Sequence, residues 1–176
     1  IYQVIFSDAL KLDSTGATIT NSGASSIAGS ITGTGAFTKN GVGALTLSAD
    51  NTYSGTTSIS SGSLLVGTGS STGSLGSGAI TNNGSLVFNR TGSLVVASAI
   101  TGTGSLTKQG SGTLSLTAAN GYSGGTTLTA GTLGLYNNTA AGPSVLVAGQ
   151  TNNAGGMVSS VLGGWANYAQ GYGSTV

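Results

Sequence analysis

The chain contains a long internal repeat, and this feature restricts its possible folds more than any other. Residues 31–67 align without a gap with residues 100–136, at an offset of 69 positions, and 19 of the 37 aligned pairs are identical. The identical pairs include Lys39 with Lys108, Leu45 with Leu114, Leu47 with Leu116, Asn51 with Asn120 and Tyr53 with Tyr122. A shorter echo links residues 17–23 with residues 79–84. The body of the chain is therefore repetitive, which is typical of repeat architectures.

Each unit consists of short segments in which apolar side chains alternate with small polar ones, the period of a β-strand. Turns rich in Gly or containing Asn-Gly separate these segments roughly every 8 to 12 residues. Such spacing admits a sandwich, a barrel or a solenoid, and the repeat favours the solenoid, in which equivalent side chains of stacked coils form ladders. With coils of about 20 to 25 residues, about 4.8 Å apart, the chain would form about seven or eight coils. We expect the paired Leu and Tyr positions to be stacked.

Charged residues are scarce, which restricts the possible partners. Only 4% of the residues are charged, the formal net charge is +1, and 38% of the residues are hydrophobic, so the chain can build a core and has little self-repulsion between copies. Four scattered cations make no basic patch, so we expect no nucleic-acid partner. Lys39 and Lys108 are predicted to lie at equivalent, solvent-facing corners.

The residue types needed for most catalytic or metal sites are missing. The chain has no Cys and no His and only three acidic residues, Asp8, Asp13 and Asp50, which excludes a Ser-His-Asp triad and a thiolate nucleophile and makes a poor metal site. Paired carboxylates for glycoside hydrolysis are not evident either, because Asp50 aligns with Ala119. We therefore expect no enzyme activity, no metal and no cofactor.

One motif within the repeat resembles a known family. The run K-x-G-x-G-x-L-x-L-x-x-x-N-x-Y-S-G extends from Lys39 to Gly55 and again from Lys108 to Gly124, and it is similar to the passenger-associated transport repeat of autotransporter proteins. The resemblance implies an all-β, right-handed parallel β-helix exported to the surface of a Gram-negative-type bacterium. In that family the repeat is thought to aid outer-membrane passage and folding outside the cell.

Two features depart from the family's usual pattern. Typical members are far longer and end in a translocator barrel, so the chain is expected to be either a fragment or a stand-alone protein built from the same repeats.

No stretch reaches the 18 or so continuous apolar residues of a membrane-spanning helix. Since the chain opens with Ile1 and lacks a basic-then-apolar leader, we expect a mature, extracellular or cell-surface product whose leader has been removed.

The two ends lie outside the repetitive body, residues 17–139. Residues 1–16 are predicted to form a strand that either caps the first coil or is donated to a neighbouring copy, and residues 140–176 to form a cap or an interface. A possible polymer interface comprises Tyr2, Val4, Phe6, Trp165 and Tyr168.

These observations favour a secreted structural subunit that associates head to tail with copies of itself into an extracellular filament, sheath or matrix. The alternative is an adhesive passenger domain or autotransporter fragment that binds host or glycan surfaces. A third function, ice binding, is suggested by Thr-x-Thr pairs at Thr18 and Thr20, Thr32 and Thr34, and Thr101 and Thr103. The pairs are too few and too irregularly spaced in the sequence to favour it.

Overall fold

The computed structural model describes residues 5–136 in full and, beyond them, the backbone of three further strands. All of its regular elements are β-strands, as the alternating pattern predicts. Their bounds are β1 Ile5–Phe6, β2 Leu10–Leu12, β3 Ala17–Thr20, β4 Ser25–Ile27, β5 Ile31–Gly33, β6 Phe37–Asn40, β7 Ala44–Leu47, β8 Thr57–Ile59, β9 Ser63–Ser70, β10 Ile80–Asn82, β11 Ser85–Arg90, β12 Leu94–Val96, β13 Ile100–Thr101, β14 Ser105–Gln109, β15 Thr113–Leu116, β16 Thr126–Leu128, β17 Thr132–Leu135, β18 Val145–Val147, β19 Thr151–Gly155 and β20 Ala166–Gln170.

The strands stack in parallel, each on the strand one coil further along the chain. Phe37 pairs with Thr57, so this coil takes 20 residues. The shortest coil in this part of the chain takes 19 residues, from Ala44 to Ser63, and the longest takes 23, from Thr57 to Ile80. The largest sheet has eight strands, in the order β1-β4-β7-β9-β11-β14-β16-β18. Seven coils therefore separate its first strand from its last, and the predicted β-solenoid is confirmed.

Each coil has three sides. Side A is the eight-stranded sheet, and side C is the five-stranded sheet β13-β10-β8-β6-β3. Side B carries β2 and β5 at one end and β12, β15 and β17 at the other. Between them, residues 51–53 and 74–77 form no strand but stay stacked, because Thr52 N donates to Ile31 O at 2.8 Å and Ser77 N donates to Tyr53 O at 3.0 Å. The chain passes A, B and C in turn, about six or seven residues to a side.

The two sequence copies do not lie in the same columns. Three coils carry the chain along side C from Phe37 through Thr57 and Ile80 to Ile100. The second-copy partner of Phe37 is Leu106, six residues beyond Ile100 and on side A. The second copy is thus rotated by one side about the solenoid axis. The expectation that the paired Leu and Tyr positions stack on one another is therefore wrong: Leu45 stacks with Leu64 on side A, whereas Leu114 stacks with Leu94 and Leu133 on side B.

Apolar side chains fill a continuous column inside the solenoid. On side A the inward residues Leu45, Leu64, Leu86 and Leu106 lie in one ladder, each fully buried. Burying one such side chain contributes about 1.5–3 kcal/mol. Because inward and outward residues alternate on every strand, the same pattern that builds this column leaves the outward positions free for other chemistry.

Candidate functional site

The prediction that Lys39 and Lys108 face solvent is wrong. Both lie at corners, but both are buried, with 0% and 1% of their surface exposed. The Nζ of Lys39 donates to the carbonyls of Asn40 at 2.8 Å and Gly41 at 2.7 Å and, one coil further, to that of Ser61 at 3.2 Å. The corner carbonyls replace the water that the ammonium group has lost.

Lys108 repeats this arrangement in the second copy. Its Nζ donates to the carbonyls of Gln109 at 2.6 Å, Gly110 at 2.8 Å and Ala130 at 3.3 Å. Burial lowers the pKa of both lysine ammonium groups below their ordinary value. Each lysine therefore joins its own corner to the corner of the following coil. The strand alternation contained this signal, since Lys39 lies two residues after the inward-facing Phe37.

The other polar residues of the repeat motif also point inward. Asn51 and Asn120 are buried, and their Oδ1 atoms accept hydrogen bonds from the backbone N–H of Ile31 and Ile100, at 2.7 and 2.9 Å. In each case the side-chain amide supplies an acceptor to the strand one coil earlier. The sequence marked both asparagines as repeated but did not indicate this contact.

The two repeated tyrosines are buried against hydroxyl partners. The phenol of Tyr53 lies 2.6 Å from Thr57 Oγ1, and that of Tyr122 lies 2.5 Å from Thr126 Oγ1. Burial raises the pKa of both phenols, an effect that outweighs these hydrogen bonds. The distinctive side chains of the motif thus maintain the fold and are not available to a ligand.

The outward positions form the solvent-exposed surface of the solenoid. Their residue types are most alike on side C. Its central outward column is Thr18, Thr38, Ser58, Thr81 and Thr101, each in register with the next. The pairs Thr18 with Thr20 and Thr101 with Thr103, which are irregularly spaced in the sequence, lie on one side, whereas the pair Thr32 and Thr34 begins in β5 on side B.

Side B carries a shallow groove of about 520 Å³ where strands are missing. The groove is lined by Asn51, Thr52, Ser74, Leu75, Gly76, Ser77, Leu94, Val95, Val96, Ala97 and Ser98. Val95 is 62% exposed, so the rim is partly apolar. No charged side chain lines this groove.

The few charges of the described residues are mostly engaged or buried. Arg90 is buried, lies 3.2 Å from Asp50, and also donates to the carbonyls of Gly73 and Ser71. It thereby holds the loop that makes the fourth coil long. Asp13 accepts hydrogen bonds from Thr15, which lower the pKa of its carboxyl group. Apart from Asp50, the exposed charges in residues 5–136 are Asp8, Lys11 and Asp13.

The predicted polymer interface is only partly within the described residues. Phe6 lies in β1, the outermost strand of side A, and is 41% exposed. Tyr168 lies in β20, of which the backbone alone is described, and Tyr2, Val4 and Trp165 lie outside the described residues. The interface stays a prediction.

Metal-binding clusters and membrane-spanning helices are both absent from the described residues. They contain no group of three or more acidic, His or Cys residues placed to hold a metal ion. Within the same residues, no helix is long and apolar enough to cross a membrane.

Comparison with known proteins identifies the repeat. A model of the passenger-associated-transport-repeat family matches residues 37–66 and 106–135, which confirms the resemblance seen in the sequence. The adhesin BmaC autotransporter of Brucella suis biovar 1 (strain 1330) is 44% identical over 78 residues, 42% of this chain but only 2% of that protein. No solved structure matches. Repeats of this kind place the chain outside the cell or at the surface of a Gram-negative bacterium, as the sequence indicates.

Proposed function

Because the chain carries two passenger-associated transport repeats, we propose that it is a non-catalytic, adhesive segment of an autotransporter passenger. The observation that carries the proposal is the difference between the inward and the outward positions of each strand. The repeated Lys, Asn, Tyr and Leu side chains point inward and hold the coils together, whereas the outward positions are nearly uncharged and, on side C, polar in every coil. Such a solenoid presents an extended surface to a ligand outside the cell.

Adhesion is supported by the relative as well as by the surface. The Brucella protein with a similar segment is named as an adhesin. A surface of Ser, Thr and Asn side chains offers hydrogen-bond donors and acceptors without strong charge, which suits repeated weak contacts with a surface ligand.

The acidic residues within residues 5–136 support a non-catalytic role. Asp50 is bound to Arg90, and Asp13 is bound to Thr15. Asp8 precedes β2 in the first coil, whereas the groove on side B lies in the third to fifth coils. A pair of carboxylates on either side of a substrate bond is the usual requirement for glycoside hydrolysis, and two of these three carboxylates are already bound to other side chains.

The proposal is tested by coating beads with the purified chain and measuring their attachment to cultured host cells and to extracellular matrix. We expect saturable attachment that soluble chain inhibits. Leu86→Asp places a charge in the core and serves as the unfolded control, which should not attach. If the folded chain attaches no better than this control to any surface, the adhesive function is wrong. Release of reducing sugar ends from bound polysaccharide would overturn the non-catalytic part.

Self-association remains a second candidate because one edge of the solenoid is apolar. Ile5 and Phe6 in β1 are 65% and 41% exposed, and an exposed strand edge can pair with another chain. Light scattering at increasing concentration distinguishes this function from adhesion. Filaments that are lost in Phe6→Ser would support self-association, and a monomer at high concentration would exclude it.

A further inference from the structure

Side C presents a regular array of hydroxyl groups over five successive coils. Its central column consists of Thr18, Thr38, Ser58, Thr81 and Thr101, with one residue from each coil. A second set of outward positions follows two residues later, at the end of the strand or just beyond it, and consists of Thr20, Asn40, Ser60, Asn83 and Thr103, all exposed. The array spans about 19 Å along the solenoid axis, since neighbouring strands are about 4.8 Å apart.

The hydroxyl groups of the central column have little to bind within the protein. In residues 5–136, the side chains of Thr18, Thr38, Ser58 and Thr81 make no hydrogen bond, and Thr101 makes only a long one of 3.4 Å to the Ile80 carbonyl. Each hydroxyl can donate one hydrogen bond and accept two. Because Thr is restricted at χ1, a ligand that binds these groups orders few side chains.

The central column of side C does not follow from the sequence repeat. Residue 38 corresponds to residue 107 of the second copy and residue 58 to residue 127, and both second-copy partners lie on side A. Thr101 in turn corresponds to Thr32 on side B. The five hydroxyl residues therefore come from different positions of the repeat, or from outside it, and are brought together only by the winding of the coils.

The other two sides lack this uniformity. The equivalent central column of side A contains Leu65 and Val87 between Thr46 and Thr107. Side B loses its strands in the third and fourth coils and exposes Val95. The extra residues of the long fourth coil are held away from side C by Arg90, so the register of side C continues through that coil.

We propose that side C binds a neutral, linear polysaccharide chain that lies along the solenoid axis. A ligand that repeats hydroxyl groups at a length close to one coil can contact the same group in every coil, and a pyranose chain is of this kind. The ten outward positions carry no charge, so an anionic polymer would find no cation to neutralise it. This inference rests on the proposed adhesive function and assigns that function a surface and a ligand class.

The test compares matched variants on two sides of the solenoid. The side C variant combines Thr38→Val, Ser58→Ala and Thr81→Val, and the control combines Thr46→Val, Thr107→Val and Thr127→Val on side A. All six changes remove an outward hydroxyl and leave the core untouched. Thr81→Val alone is the reserve variant in case the triple change affects folding, which thermal unfolding would reveal.

Binding is measured on an array of neutral linear oligosaccharides of graded length, including glucans, mannans, galactans and chitin-type oligomers. We expect the original chain to bind at least one series of oligosaccharides, and to bind it more tightly as the oligosaccharides lengthen toward the span of five coils. The side C variant should lose affinity on the order of tenfold or more, about 1.4 kcal/mol, while the control should stay within about twofold.

The outcomes separate this inference from the proposed function. Attachment to cells without binding to any neutral glycan overturns the ligand class and leaves adhesion standing, whereas no attachment to any surface removes both. Equal glycan binding by the side C variant and the original chain overturns the assignment to side C. Thermal hysteresis that only the side C variant loses, in the absence of glycan binding, would assign the array to ice instead.

Discussion

At the scale of single residues, the repeat motif describes contacts inside the solenoid. Lys39 is an unusual core residue because its charge is not balanced by a carboxylate within residues 5–136. Three backbone carbonyls from two corners surround its ammonium group instead. A buried charge with adequate hydrogen bonds is tolerated, and one without them is not. The lysine therefore depends on the corner being formed, and the corner depends on the lysine.

Replacing this lysine by an apolar residue of similar length should destabilise the fold. Lys39→Met keeps the unbranched stem but removes a side-chain donor to the carbonyls of Asn40 and Gly41. We expect the free energy of unfolding in urea to fall by about 1–3 kcal/mol. Lys11→Met, at an exposed position, is the control and should change it by less than about 0.5 kcal/mol. Equal effects of the two substitutions would contradict a structural role for Lys39.

The buried tyrosines give the stability a pH dependence. The pKa of Tyr53 and of Tyr122 is raised above the ordinary value of 10.0, so the folded state retains these protons after the unfolded state has lost them. The stability that they contribute is present below about pH 10 and is lost as the pH rises through the raised folded values. The lowered pKa values of Lys39 and Lys108 act in the opposite direction, so the tyrosine effect must be isolated by comparison.

The comparison uses the double variant Tyr53→Phe, Tyr122→Phe. At neutral pH it should be less stable than the original chain, by about 1–2 kcal/mol for each phenol, because Thr57 and Thr126 lose their partners. Between about pH 9 and about pH 11 this difference should narrow. Urea denaturation at a series of pH values measures it, and a constant difference would show that the two phenols ionise alike in both states.

At the scale of strands and turns, the corners require glycine where the lysine of the preceding coil is bound. Gly62 and Gly131 have φ of +70° and +77°, and an added Cβ would overlap backbone carbonyls and approach the lysine Nζ to 2.9 Å. We expect Gly62→Ala or Gly131→Ala to cost about 1–3 kcal/mol. Gly121→Ala, where nothing lies within 4 Å of the added Cβ, is the matched control and should be neutral or slightly stabilising in thermal unfolding.

The strands were predictable from the sequence because alternation alone determines which side chains are buried. Leu45 and Leu47 were found where the pattern places them. The direction of Lys39 was predicted wrongly because its charge was given more weight than its inward register. The columns were not predictable, because coils of 19 to 23 residues drift out of step with the 69-residue repeat. The hydroxyl array of side C was missed for the same reason, since its threonines are neighbours only after winding.

At the scale of the whole molecule, the second copy of the repeat is rotated by one side about the solenoid axis. The same repeat sequence can therefore form any of the three sides. The same inward pattern packs on side C in the first copy and on side A in the second. A coil thus contributes to stability through its neighbours above and below, as in other repeat proteins. Binding chemistry can then change from side to side without altering the core.

Interchangeable coils predict that one whole coil can be removed. In the intact chain Phe37 pairs with Ala17 of the preceding coil. Deleting residues 17–36 joins Gly16 to Phe37, which can take the place of Ala17 and leave every later inward residue in register. We expect cooperative unfolding with a lower free energy and a smaller denaturant dependence, because less surface is buried. Deleting residues 17–26 removes only half a coil, so the remaining residues cannot reach around the core. This control should lose cooperative unfolding by circular dichroism, and equal damage from both deletions would show that the coils do not act as separable units.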